Sequence, residues 1–344
     1  MAQKRPSKSD RRESGIVQHV RNTVRQLPVD SPHVLLACSG GKDSVALAWI
    51  LAELRRLQLL TFSIAHIHHG QHDNADLAAD AVREIGRLLD ARITVHRLHQ
   101  RDIDAHSGVG LEEAMRRERY LALFRIAVEQ GADCIALAHH QTDQAETILL
   151  HLMRGAGVDG LAGMREWEVR RIPWWDESAE VTEIGLWRPL ISQPERRVAD
   201  IAASSGLPIV EDPTNSDPSF RRNAIRHQVL PVLEGISAGS VGSVARSAEV
   251  IAADAELLEH LTRQALAVCT RGDGLLRSRL MVLSEAMQKR VIRRWVADRL
   301  PMLELTSDRI AAISTLVARN RGGAVIEIGS GHRVTIRDGR LSLD

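Results

Sequence analysis

Over residues 33–210 the chain alternates short apolar runs with longer amphipathic ones. HVLLAC (33–38) is apolar almost throughout, the pattern of a strand buried on both faces, whereas SVALAWILAEL (44–54) has the period and length of a helix. LLTFSIAHIH, RITVHRL and DCIALA repeat the first pattern, and DLAADAVREIGRLL, LEEAMRRERYLALFRIAVEQ and TDQAETILLHLMR the second. Repeated strand–helix units of this size predict an α/β fold: a doubly wound, mostly parallel sheet covered on both faces. Such sheets bind ligands beyond the carboxyl ends of their strands.

Residues 166–188 break the alternation as a hairpin (WEVRRIPWW, then VTEIGLW). A helix (194–205), a short strand LPIV, the polar loop EDPTNSDPS and the helix SFRRNAIRHQVLPVL follow. Residues 240–318 read as all-helical, and AVIEIGSGHRVTIRDGRLSLD as a β-meander around GSG and DG turns. The expected organisation is a disordered basic tail (1–15), an α/β domain (16–235) and a smaller C-terminal helical domain ending in a short β-meander (236–344).

Composition excludes several classes. Apolar residues make up 44% and charged residues 26%, so this is not a disordered or fibrous chain. No apolar run reaches the roughly 18 residues of a membrane span, and the basic start leads into no apolar signal region. Cys38, Cys134 and Cys269 are too far apart for a CxxC metal site and too few for a disulfide framework, so a reducing cytoplasm is expected. The cations are 41 arginines and only four lysines. Against that bias Lys42, alone between residues 9 and 288, suggests a place where a guanidinium does not fit.

Lys42 belongs to Ser39-Gly40-Gly41-Lys42-Asp43-Ser44, between the first strand and the first helix. Two glycines let the backbone turn and present N–H groups to an anion. The helix N-terminus and the hydroxyls of Ser39 and Ser44 add to this, and Lys42 supplies a point charge for phosphate. Asp43 repels phosphate unless Mg²⁺ lies between them or the carboxylate caps the helix. This is not a Walker A loop, which needs glycine where Leu36 stands and Ser or Thr where Asp43 stands. The later run Gly155-Ala156-Gly157-Val158-Asp159-Gly160 matches a dinucleotide fingerprint but follows a helix, so NAD binding is rejected.

Six further blocks follow in order. They are His66-Ile67-His68-His69-Gly70; Gly110-Leu111-Glu112 with Arg116, Arg119 and Tyr120; His139-His140 with Asp143, Gln144, Glu146 and Thr147; Arg154-Gly155 with Gly157; Arg188-Pro189-Leu190; and Glu211-Asp212 with Asn215, Asp217, Arg222, Asn223 and Arg226. With SGGKDS they resemble the PP-loop N-type ATP pyrophosphatases, and within these the tRNA(Ile)-lysidine synthetase family, over residues 34–233. One departure stands out. The family usually has two adjacent acids before Gln144, and here the first is Thr142.

The resemblance implies an adenine nucleotide α-hydrolase-like fold and a ligase that splits ATP to AMP and pyrophosphate. It would attach free L-lysine to the wobble cytidine of tRNA(Ile) with a CAU anticodon. A homodimer is implied as well, because family members of this kind are often dimers. In this reading Ser39, Gly40, Gly41, Lys42, Asp43, Ser44 and His66 bind ATP. Asp43, Arg116 and Asp143 are catalytic, with Mg²⁺ on Asp43 and the α-phosphate on Arg116. Asp143 and Glu146 hold lysine or Mg²⁺, and helix N-terminal capping is the alternative for both.

Candidate tRNA contacts are Arg222, Arg226, Arg290 and Arg294; a solvated helix face is the bland reading of the last two. The Trp167, Trp174, Trp175 and Trp187 cluster reads as part core, part base stacking. His66, His68, His69 and His72 lack a cysteine or well-spaced acid to complete a zinc site. The rival reading is a PP-loop tRNA thiolase or another PP-loop adenylating ligase. The scattered cysteines speak against the sulfur route.

Overall fold

The computed structural model describes residues 8–68, 70, 74–175, 182–211, 221–301, 303, 305–319 and 324–344. It opens with α1 (Lys8–Val24), then β1 (His33–Ala37), α2 (Lys42–Arg56), β2 (Thr61–His68), α3 (Asn74–Leu89), β3 (Ile93–Arg97), α4 (Gln100–Asp104), α5 (Leu111–Gln130), β4 (Cys134–Ala136) and α6 (Gln141–Met153). Next come α7 (Val158–Leu161), β5 (Trp167–Ile172), β6 (Thr182–Trp187), α8 (Glu195–Ser204), α9 (Arg221–Ala224), a π-helical turn (Ile225–Val229) and α10 (Leu230–Ile236). The remainder is α11 (Ser240–Cys269), β7 (Thr270–Arg271), β8 (Gly274–Leu276), α12 (Arg277–Leu280), α13 (Glu285–Ala297), α14 (Ser307–Arg319), β9 (Val325–Gly329), β10 (His332–Arg337) and β11 (Arg340–Leu343).

The chain divides into two compact units, the first carrying nearly all residues up to Ala252 and the second running from Ala253 to Asp344. In the first, six strands lie in the order β3-β2-β1-β4-β6-β5, all parallel except the β5–β6 hairpin. Period-2 alternation splits β1 between two cores. Val34 and Leu36 pack with Ile50, Leu51 and Ile85 on one face, while Leu35 packs with Leu123, Ile126 and Ile135 on the other. The chain leaves β1 towards β2 and β3, then returns to place β4 on the opposite side of β1. The loops after β1 and β4 therefore flank the point where strand order reverses, the crevice such sheets use for ligands.

The structure corrects the tail. A helix spans Lys8–Val24 where disorder through residue 15 was expected, and residues 1–7 lie outside the described residues. Ile16, Val20 and Val24, one helical turn apart, bury their side chains in the core and anchor the helix. LPIV is not a strand, although Val210 N–H donates to Gly40 O at 3.0 Å. Almost all of the loop that follows it lies outside the described residues.

In the second unit β7-β8-β11-β10-β9 form an antiparallel sheet around a core including Trp295, Ile313, Val317 and Ile336. The expected meander is three of these strands; the β7–β8 hairpin corrects the all-helical reading of 240–318. Among the described residues no helix is long and apolar enough to cross a membrane.

Candidate active site

A cavity of about 510 Å³ opens at the reversal of strand order, walled by Ser39, Gly41, Asp43 and Ser44 after β1 and by His139 and Asp143 after β4. Ala65 and His66 of β2, Arg119 and Tyr120 of α5, and Arg222 and Arg226 add further walls. Gly40 has φ +86°, a left-handed conformation that L side chains rarely adopt, so the turn favours glycine. Ser44 Oγ accepts from Ser39 N–H at 3.2 Å and donates to Gly41 O at 2.9 Å, which fixes the loop from inside.

The helix α6 begins with a reciprocal cap. His140 Nδ1 accepts from Thr142 N–H at 3.2 Å, and Asp143 Oδ2 accepts from His140 N–H at 2.9 Å. The capping alternative for Asp143 is thus realised, while the same carboxylate lines the cavity. His140 Nε2 stands 3.6 Å from Asp43 Oδ2 and 3.5 Å from Asp143 Oδ2. Burial works against a charge on this ring, but the hydrogen bond with Asp43 and the facing acids outweigh it and raise its pKa. Burial works against charge on Asp143 too, yet His140 and Arg222 hold its carboxyl well below the usual range.

Glu146 is fully buried, and both its oxygens are taken by guanidiniums: Arg222 Nε at 2.7 Å and Arg226 Nε at 2.5 Å. The same arginines reach Asp143 Oδ1 at 3.3 and 3.0 Å. Arg226 comes from the π-helical turn, which directs it inward. This differs from the sequence reading in two ways. Arg222 and Arg226, expected on tRNA, pair with Asp143 and Glu146, and Glu146, expected on lysine or Mg²⁺, is fully buried and does not line the cavity. Arg294, on α13 of the second unit, likewise pairs with Glu259 and Asp298 at 2.7 Å each. Arg290 lies on the same helix.

Of the two α5 arginines, Arg119 lines the cavity and Arg116 does not, although both lie over the Tyr120 ring, at 5.8 and 5.3 Å from its centroid. Desolvation and the neighbouring cations lower the Arg119 pKa, and this partly buried positive charge on the cavity wall suits an anion. His66 Nδ1 donates to Cys38 O at 2.9 Å, which leaves Nε2 as a bare buried acceptor. Burial lowers its pKa and keeps the ring neutral.

Lys42, expected on phosphate, instead pairs with Asp43 Oδ1 at 2.9 Å and Glu195 Oε1 at 2.8 Å. Glu195 was not singled out by the sequence; its only signal is an acid opening an amphipathic helix next to a proline. Trp187 is core, Trp167 is partly buried against the same core, and Trp174 stacks edge-on against Tyr120 at 5.4 Å. His68 Nε2 pairs with Asp76 at 2.9 Å, and His69 and His72 lie outside the described residues.

The PP-loop domain family matches residues 13–233, and the TilS substrate binding domain family matches residues 275–342. The chain is 33% identical over 330 residues to a tRNA(Ile)-lysidine synthase of Thermobifida fusca, covering 94% of each. It is 33% identical over 305 residues to that of Bordetella bronchiseptica, covering 85% of this chain and 83% of the other. For the tRNA(Ile)-lysidine synthase of Chromobacterium violaceum, 36% identity over 262 residues covers 75% of this chain and 56% of the relative. The match to that of Ralstonia nicotianae covers 54% of it, so the chain spans about half the length of these two. Among solved structures, the U34-tRNA thiolase NcsA from Methanococcus maripaludis shares the fold, with a TM-score of 0.54 at 19% identity over 70% of this chain and 80% of that one. Loop, crevice and matched length agree: the chain belongs to the PP-loop tRNA(Ile)-lysidine synthase family.

Proposed function

We propose that the chain ligates L-lysine to C2 of the wobble cytidine of tRNA(Ile) with a CAU anticodon. ATP adenylates the C2 oxygen and releases pyrophosphate; the lysine ε-amine then attacks C2 and expels AMP. The observation that carries this reading is the SGGKDS turn, walling a cavity at the reversal of strand order in a chain of this family. The backbone N–H groups at the start of α2 and the Ser39 hydroxyl bind phosphate, with Ser44 holding the loop in shape, and Arg119 adds its charge from the cavity wall.

Asp43 offers carboxylate oxygens of the kind Mg²⁺ takes, on the cavity wall and facing Asp143 across His140. Asp43 is therefore the residue that would hold Mg²⁺, which neutralises phosphate charge when bound. Asp143, with its depressed pKa, is a cation-holding group and a poor proton acceptor. It is the one acid of the Asp143–Glu146 pair that lines the cavity and so the candidate for the lysine ammonium. The second unit, whose matched family is described as substrate binding, contacts the tRNA.

Thiol chemistry is disfavoured by the cysteines themselves. Burial pushes the Cys38 thiol up and that of Cys134 to about 12, so neither is a thiolate, and Cys269 is buried in the second unit. Incubation with ATP, Mg²⁺, lysine and total tRNA is expected to shift the mass of one anticodon nucleoside by a lysine adduct, with AMP formed in equal amount. An unchanged nucleoside, or sulfide replacing lysine, would reject the proposal.

A further inference from the structure

Lys42 stands in the loop that faces phosphate, yet its ammonium is committed elsewhere. Ser39, Gly41, Asp43 and Ser44 line the cavity and Lys42 is not among the lining residues. Its Nζ donates to Asp43 Oδ1 at 2.9 Å and Oδ2 at 3.2 Å and to Glu195 Oε1 at 2.8 Å. Glu195 Oε2 in turn accepts from the Thr142 hydroxyl at 3.1 Å. The two helix starts that carry these groups are themselves joined, because Gln141 N–H donates to Gln193 O at 3.0 Å.

Asp43 is the member of this chain of contacts that reaches the cavity. Its carboxylate is gripped from one side by Lys42 and from the other by His140, 3.6 Å from Oδ2. Glu195 draws on an ammonium that already meets both Asp43 oxygens, so the Asp43 charge is shared rather than neutralised. With Glu195 the ammonium is fixed between two acids. Thr142 suits this place for a simple reason: its hydroxyl donates to Glu195, which a carboxylate at this position would repel.

We infer that Lys42, Glu195 and Thr142 form one positioning unit for the Asp43 carboxylate, and that Lys42 acts on ATP only through Asp43. The inference rests on the ATP-using reading above.

The test uses the full chain with Lys42→Met, Glu195→Gln, their double variant and Thr142→Val, with thermal melting as the check on folding. ATP affinity is measured calorimetrically without Mg²⁺, and kcat for pyrophosphate release with saturating ATP, lysine and tRNA. Affinity is expected within about threefold of wild type throughout, while kcat falls about tenfold in each of the first two single variants. The double variant should be no slower than Lys42→Met, because members of one unit are not additive. Thr142→Val, which keeps the side-chain outline, should lower kcat less and leave affinity alone.

Lys42→Met binding Mg²⁺-free ATP about tenfold more weakly would put the ammonium on phosphate and overturn the inference. Multiplicative kcat losses in the double variant, or unchanged kcat in both single variants, would overturn it too. A wild-type chain that binds no ATP would overturn the ATP-using reading and this inference with it. Normal wild-type turnover with a failed cycle would overturn the inference alone.

Discussion

Arg116 and Arg119 are three residues apart on α5 and differ in what they face. Both lie over the Tyr120 ring, but Arg119 lines the cavity and Arg116 does not. Arg119→Ala is accordingly expected to raise the ATP requirement of pyrophosphate release about tenfold, and Arg116→Ala by less than about threefold. Steady-state KM values check this, and the opposite ranking would return the phosphate to Arg116. Helical spacing put both arginines on one face in the sequence, but which one meets the cavity depends on how α5 packs against the sheet. SGGKDS was legible because everything it needs is local: an apolar strand, two glycines and a helix start. The commitments of Lys42 to Glu195, and of Glu146 to Arg222 and Arg226, join residues 76–153 positions apart, and no local pattern records them.

Between elements, the fully buried Glu146 is the pin that joins α6 to α9 and the π-helical turn. Glu146→Ala leaves the two guanidiniums with Asp143 Oδ1 as their remaining carboxylate contact. It is expected to cost about 3 kcal/mol, discounted because both arginines are partly exposed. The urea midpoint measures this, and a loss below about 0.5 kcal/mol would deny the pin. The parallel strands and their helices were legible from run length and period. Two elements were not. The two-residue β7 is too short to show alternation, although Gly272-Asp273 was a usable turn signal. The start of α1 is polar, and only the turn-spaced Ile16, Val20 and Val24 mark it as a helix that reaches the core.

For the whole molecule, acid is the informative perturbant. Burial holds His139 neutral, its pKa lowered to about 3 from an ordinary 6.5. The unfolded chain protonates this ring below about 6.5 and the folded chain does not, so its stabilisation is complete above that pH. It is lost as pH falls from there to about 3, by at most about 1.4 kcal/mol per pH unit. Asp143 acts in the same sense at lower pH, once the ordinary carboxylate range is reached. His140 has the opposite sign: its contribution is present below the ordinary histidine value and is lost as pH rises through its raised folded pKa. Between pH 6.5 and 5, then, the urea midpoint of wild type should fall more than that of His139→Gln. Parallel falls would mean that the ring is solvated.

The single tyrosine of the chain is Tyr120, buried in the cavity wall with Trp174 edge-on at 5.4 Å. Uniform replacement of tyrosine by 3-fluorotyrosine therefore labels one ring, at the cavity and nowhere else. Its fluorine spectrum reports on one residue, with no other tyrosine to overlap or assign, in a chain of 344 residues. Each ligand added in turn shifts that line, broadens it or leaves it alone. The order in which nucleotide, amino acid and tRNA reach the cavity can thus be followed from inside it.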